Sequence, residues 1–153
     1  MEFLSNSLDD TNTFATNFLE KLVSVQRAKP ADHATVVGLY GNLGSGKTTF
    51  VQALAKALGV ETHVSSPTFL IMKSYKLSTF NFQLLTHVDA YRLKGADELS
   101  NLRFDELLAN PQNLILIEWA DKVADLLPLD HIRLTFEFVD EKTRKLTLKE
   151  VLQ

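Results

Sequence analysis

One stretch, YGNLGSGKTTF at positions 40–50, limits what this chain can fold into more than any other. Gly41, Gly44 and Gly46 are half of the six glycines in the chain. Glycine loses more freedom on folding than any other residue, so such a cluster is unfavourable unless the backbone must turn where side chains cannot follow. The residues Gly41, Asn42, Leu43, Gly44, Ser45, Gly46, Lys47 and Thr48 fit G-x-x-x-x-G-K-[ST]. Before them, TVVGLY (35–40) is a short apolar, β-branched run that reads as a buried strand. After them, KTTFVQALAKALGV (47–60) reads as a helix, with Phe50, Leu54 and Leu58 on one side and Gly59 as its C-cap. In a strand–loop–helix of this kind the loop N–H groups turn inward as an anion nest, and the helix N-terminus adds partial positive charge. The expected occupant is a nucleoside triphosphate, with Lys47 on its β- and γ-phosphates and the Thr48 hydroxyl on magnesium. A random chain of this length matches the pattern roughly once in two hundred. The strand and helix around it weigh further against a glycine-rich turn with an incidental lysine.

Binding phosphates is not yet chemistry. Phosphoryl transfer needs a carboxylate for the metal and a group that orients the attacking nucleophile. Two carboxylates stand at the ends of apolar runs: Asp89 after LLTHV and Glu118 after LILI. Strand C-terminal ends of parallel α/β sheets face the ligand crevice, so both are candidates; the plainer alternative for each is to cap the next turn. Thr68, in SSPTF, lies in a loop where a hydroxyl can sense a γ-phosphate as switch loops do, although Ser, Thr and Pro are also common in ordinary turns. Trp119, the one tryptophan, follows Glu118. The four histidines, His33, His63, His87 and His131, show no metal-ligand spacing, and His87 reads as structural.

The remainder of the chain supplies α/β alternation. LDDTNTFATNFLEKLVSVQR (8–27) has Phe14, Phe18, Leu22 and Val25 at helical spacing, widened by Ala15 and Leu19. Ser7 and Asp10 resemble a capping box with aspartate in place of glutamate. FLIMKSYKL and FQLLTHVDAY read as strands joined around STFN, and DELSNLRFDELLA as one amphipathic helix. NLILIEWAD contains a strand ending at Glu118, and HIRLTFEFVD and TRKLTLKEV alternate as a hairpin turning at DEKT. The expectation is a P-loop NTPase fold of class α/β, three-layered, with a mixed central sheet and a C-terminal antiparallel hairpin, as one domain over 1–153.

Composition narrows the function classes. A net charge of −3 argues against nucleic-acid binding by broad electrostatics, and no sequence-specific nucleic-acid contact is expected. The absence of cysteine excludes disulfides and thiolate metal sites. No apolar run reaches the ~18 residues of a membrane span, and MEFLSNSLDD lacks the pattern of a secretory signal. The expected location is the cytoplasm.

Four segments in order, GNLGSGKTTF, SSPTF, HVDAYRL and LIEWAD, resemble the TsaE (YjeE) family along nearly the whole chain. Those are small bacterial P-loop ATPases needed to make threonylcarbamoyladenosine in transfer RNA. The resemblance implies that Gly41, Asn42, Leu43, Gly44, Ser45, Gly46, Lys47, Thr48 and Thr49 hold the phosphates of ATP. It implies that Thr48 ligates Mg2+ and that Thr68 belongs to a switch-like loop. Asp89 and Glu118 then serve the metal and the attacking water, with the division between them open. Thr11, in SLDDT, matches a family threonine near the base, and Arg144 is the best match to an arginine near the nucleotide. The implied partners are TsaD and TsaB, the pair that transfers the threonylcarbamoyl group. Two positions depart from the pattern: Asn42 replaces a usual aspartate, and Arg103 stands in a segment where the family often has glycine.

Three other classes stay in view. A small-molecule kinase usually carries a lid with several arginines, and the arginines here are few and scattered. A GTPase-like switch is disfavoured because no N-K-x-D segment follows. A binding module with an inactive nucleotide site is disfavoured by the presence of Lys47, Asp89 and Glu118 together. The expected activity is Mg-dependent ATP hydrolysis, slow without partners because no arginine finger is visible.

Overall fold

The computed structural model describes residues 1–28, 32–65, 70–78 and 82–149. It begins with a strand that the sequence pattern does not reveal. β1 (Glu2–Ser5) has four residues, too short for alternation to register. Then come α1 (Leu8–Ala28), β2 (Thr35–Tyr40), α2 (Lys47–Ala57), β3 (Met72–Lys76) and β4 (Leu84–Asp89). They are followed by α3 (Asp97–Ser100), α4 (Phe104–Leu108), β5 (Asn113–Glu118), a 3₁₀ segment (Ala120–Leu126), β6 (Ile132–Phe138) and β7 (Arg144–Lys149).

The helix ends follow from local chemistry. Ser7 Oγ accepts the Asp10 N–H at 3.1 Å, and Asp10 Oδ2 accepts the Asn6 N–H at 2.9 Å. This is a capping box displaced by one residue, since the aspartate reaches Asn6 rather than Ser7. Phe14, Ala15, Phe18, Leu19 and Leu22 are buried along α1, but Val25 is 53% exposed and Val23 is buried in its stead. At the end of α2, Gly59 takes φ +87°. Its N–H reaches Lys56 O at 3.0 Å and the Val60 N–H reaches Ala55 O at 3.0 Å, a Schellman closure.

The expected single helix over 97–109 is two short ones. Arg103 sits in the left-handed region at φ +62°, which stops α3 and redirects the chain into α4. The break turns Phe104 fully into the core and leaves Leu102 38% exposed.

One seven-stranded sheet runs β1-β7-β6-β2-β5-β4-β3. β2 pairs in parallel with both β5 and β6, and β4 pairs in parallel with β5. β3, β7 and β1 pair antiparallel at the two sides. The terminal hairpin turns at 140–143, where the Val139 N–H meets Thr143 O at 3.1 Å. On one face α1 and α2 pack Phe14, Phe18, Phe50 and Leu54 against Val37, Leu85, Leu114, Leu116 and Phe136. On the other, Leu99, Phe104, Ala120 and Val123 pack against Val36, Val88, Ile115 and Ile117. These are the three layers. Because β2, β4 and β5 are parallel, their C-terminal ends share one edge, with Asp89 level with Glu118 and Glu118 level with Leu39. No helix among the described residues is long and apolar enough to cross a membrane.

Candidate nucleotide site

The loop leaves β2 with its glycines in conformations that side chains resist. Gly41 has φ +148°, and a Cβ there would stand 2.5 Å from Phe136 O and 2.8 Å from Ser45 Oγ. Gly46, at φ +104°, immediately precedes α2, so the chain turns sharply and enters the helix with Lys47 as its first residue.

Lys47 is buried at 4% exposure. Its Nζ donates to Gly41 O at 2.5 Å, to Asn42 O at 2.9 Å and to Ser45 Oγ at 3.4 Å. It also lies 4.2 Å from the centroid of the Trp119 ring. Burial pushes its pKa below the usual lysine value, while the nearby carboxylates of Glu118, Asp89 and Asp121 act in the opposite direction. Trp119 holds this place in a left-handed conformation, φ +59°, with its ring 5.1 Å from that of Tyr91.

One residue on, the Thr48 hydroxyl donates to Glu118 Oε1 at 2.8 Å. Glu118 is 3% exposed, and its other oxygen accepts His87 Nε2–H at 2.5 Å. The contact follows from strand register. Asp89 is the partner of Glu118 across the parallel ladder, and His87 is two residues earlier on the same face. His87 is fully buried, and its Nδ1 has no hydrogen-bond partner among the described residues. Asp89, 4% exposed, accepts the Tyr91 N–H on Oδ1 at 3.0 Å. The turn-capping alternative for Asp89 is therefore realised on one oxygen, while the residue still lines the cleft.

These groups line a cleft of about 640 Å³, whose wall includes Leu43, Gly44, Ser45, Gly46, Lys47, Thr48 and Thr49. Gly41 and Asn42 contribute the carbonyls behind the lysine. Thr11 also lines the cleft, with its hydroxyl 2.7 Å from Ser5 Oγ. Arg144 closes the side: its Nε donates to Gly44 O at 3.2 Å and its guanidinium stacks on Phe138 at 4.5 Å. Thr68 lies outside the described residues. The contact that sequence reasoning missed is His87 with Glu118; the sequence places His87 two residues before Asp89 on the same face but carries no signal that β5 lies beside it. The wall formed by Ser5, Asn6 and Ser7 was missed because β1 was.

A glycine loop between a parallel strand and a helix, with two strand-end carboxylates beside it, defines a P-loop NTPase fold. The structure resembles the crystal structure of Bacillus subtilis YdiB, with a TM-score of 0.71 at 26% identity over 99% of this chain and 85% of that one. The family model described as "Threonylcarbamoyl adenosine biosynthesis protein TsaE" matches residues 5–146. Among proteins named "tRNA threonylcarbamoyladenosine biosynthesis protein TsaE", that of Rickettsia felis is 40% identical over 87% of this chain and 73% of its own length. That of Rickettsia typhi is 36% identical over 95% and 92%, and that of Bacillus subtilis 36% identical over 81% and 73%. The chain belongs to the TsaE family.

Proposed function

We propose that this chain is one magnesium-dependent ATPase domain that supports threonylcarbamoyladenosine formation in transfer RNA, working with proteins of the TsaD and TsaB kind in the cytoplasm. The observation that carries this reading is the meeting of Lys47, Thr48, Asp89 and Glu118 at one cleft, behind a glycine loop that opens a helix. The tRNA role is supported by the names of the relatives and the family, and the TsaD and TsaB partners are what the family resemblance implies.

The donor set fits magnesium, a hard cation that takes oxygen ligands: the Thr48 hydroxyl with the carboxylates of Asp89 and Glu118. Magnesium, when bound, would supply positive charge that offsets the charge of the reacting phosphates. Thr48 and Asp89 are the residues assigned to hold it. The loop N–H groups and the Lys47 ammonium stabilise charge on the phosphates, for which Lys47 exchanges its loop carbonyls for phosphate oxygens. Glu118, fixed on both oxygens, orients the attacking water. Arg144 is tied to the loop at Gly44 O and steadies the phosphate side. Thr11 lines the cleft, and the family resemblance assigns it to the side of the base.

The test is ATP hydrolysis by the purified chain, with and without Mg2+, alone and with the TsaD–TsaB pair of the same organism. Hydrolysis is expected to require the metal, rise with the pair and vanish in Lys47→Ala together with tight ATP binding. Glu118→Ala is expected to keep binding but lose turnover by about 10²–10⁴-fold. A wild-type rate in Glu118→Ala removes that residue from its role. Phosphorylated product from a small acceptor, with no effect of the pair, replaces the reading with a kinase.

A further inference from the structure

We infer that His87 is a positioning residue for Glu118, and thereby for the attacking water; this inference rests on the ATPase reading above. Four observations carry it. The imidazole is fully buried at a strand position flanked on its face by Leu85 and Leu116, apolar and equally buried, and by the charged residues Asp89 and Lys73. An apolar side chain at 87 would pack on that face, but it would leave Glu118 Oε2 buried without the donor that now meets it. The ring also leaves Nδ1 without a hydrogen-bond partner among the described residues, a desolvation penalty that packing alone does not call for. Its other nitrogen meets the carboxylate that also accepts the Thr48 hydroxyl, so Glu118 is held at both oxygens, from β4 on one side and from the first turn of α2 on the other.

The bond fixes the proton. A carboxylate only accepts, so Nε2 is the protonated nitrogen and the donor. Held by one hydroxyl alone, Glu118 could rotate about its side-chain torsions, and its second oxygen would be free to turn toward Lys47. With His87 present the carboxylate has one orientation, and the oxygen facing the cleft is defined before nucleotide arrives. This is how residues behind a reacting group set its direction.

Two variants of the full chain separate this role from a packing role. His87→Leu keeps an apolar volume and removes the donor. His87→Gln keeps a side-chain N–H that can reach Glu118. In His87→Leu, kcat for Mg-ATP hydrolysis is expected to fall by about 10–100-fold, with KM and the ATP dissociation constant within about twofold. The melting temperature is expected to fall as well, because Glu118 Oε2 loses its buried donor, so the variants are compared at a temperature where both are folded. His87→Gln is expected to recover most of kcat. A readout independent of turnover comes from the ligand-free protein labelled with nitrogen-15 histidine. There, a slowly exchanging proton on His87 Nε2 is expected, and its resonance should move in Glu118→Ala. Wild-type kcat in a folded His87→Leu, equal losses in Leu and Gln, or a bare Nε2 would each overturn the inference. A wild-type chain that hydrolyses no ATP would instead sink the ATPase reading.

Discussion

The Lys47 ammonium is enclosed by two carbonyls and a hydroxyl of its own loop, with the Trp119 ring covering it. Burial lowers its pKa, and the unfolded chain holds the same proton up to the ordinary value of 10.5. Between the lowered folded value and 10.5 the unfolded state therefore binds more protons, and stability contributed by this group rises with pH. Lys47→Met is expected to remove that rise. Urea melts of the two proteins in parallel, from neutral pH to 10, should give a wild-type minus variant difference that grows in favour of wild type as pH increases. A flat difference would mean that the carboxylates of Glu118 and Asp89 fully offset the desolvation.

At the scale of elements, the break between α3 and α4 is the position where residue type and backbone disagree. Arg103 adopts a left-handed conformation that costs an L-residue roughly 1–2 kcal/mol, and glycine takes it without that penalty. Glycine also brings more freedom to the unfolded chain, which offsets about 0.5–1 kcal/mol of the gain. Arg103→Gly is expected to raise unfolding stability by up to about 1 kcal/mol in urea melts. A loss of that size would show that the arginine side chain contributes more than its backbone costs. The same break shows why some elements could be read from sequence and others could not. β2, α2 and β5 have uninterrupted patterns bounded by glycine or a strand-end carboxylate, and they lie where the sequence predicts them. The run 97–109 has continuous helical spacing, so nothing in it announces that one residue turns the other way. β1 is an edge strand whose pairing is with β7, at the far end of the chain, and no local pattern can announce it. In the site, Lys47, Thr48, Asp89 and Glu118 were legible because each sits at a strand or helix terminus. The His87 contact was not, since it depends on which strand lies beside which.

Across the whole molecule, core and site meet at Phe50. Its ring lies 5.8, 5.5 and 5.6 Å from those of Phe14, Phe18 and Phe136, and it is three residues after Lys47 on α2. Phe50→Ala is expected to lower stability by about 3–5 kcal/mol, with loss of the transfer energy and a cavity under the helix. Because that helix carries Lys47 and Thr48, ATP affinity should fall in the same variant. Calorimetry for unfolding and titration for binding would check both, and unchanged affinity would mean that the loop is held by β2 alone. The order of the strands has a consequence of another kind. All six residues of β5 are buried, and NLILIE is the sort of run that stacks with copies of itself once exposed. The fold sets it between β2 and β4, with the hairpin wing beyond one and β3 beyond the other. The strands left at the rims, β1 and β3, are four and five residues long and carry Glu2, Lys73 and Lys76. Short, charged borders are poor templates for a passing chain, so the stickiest segment of this sequence is screened from aggregation by the least sticky ones.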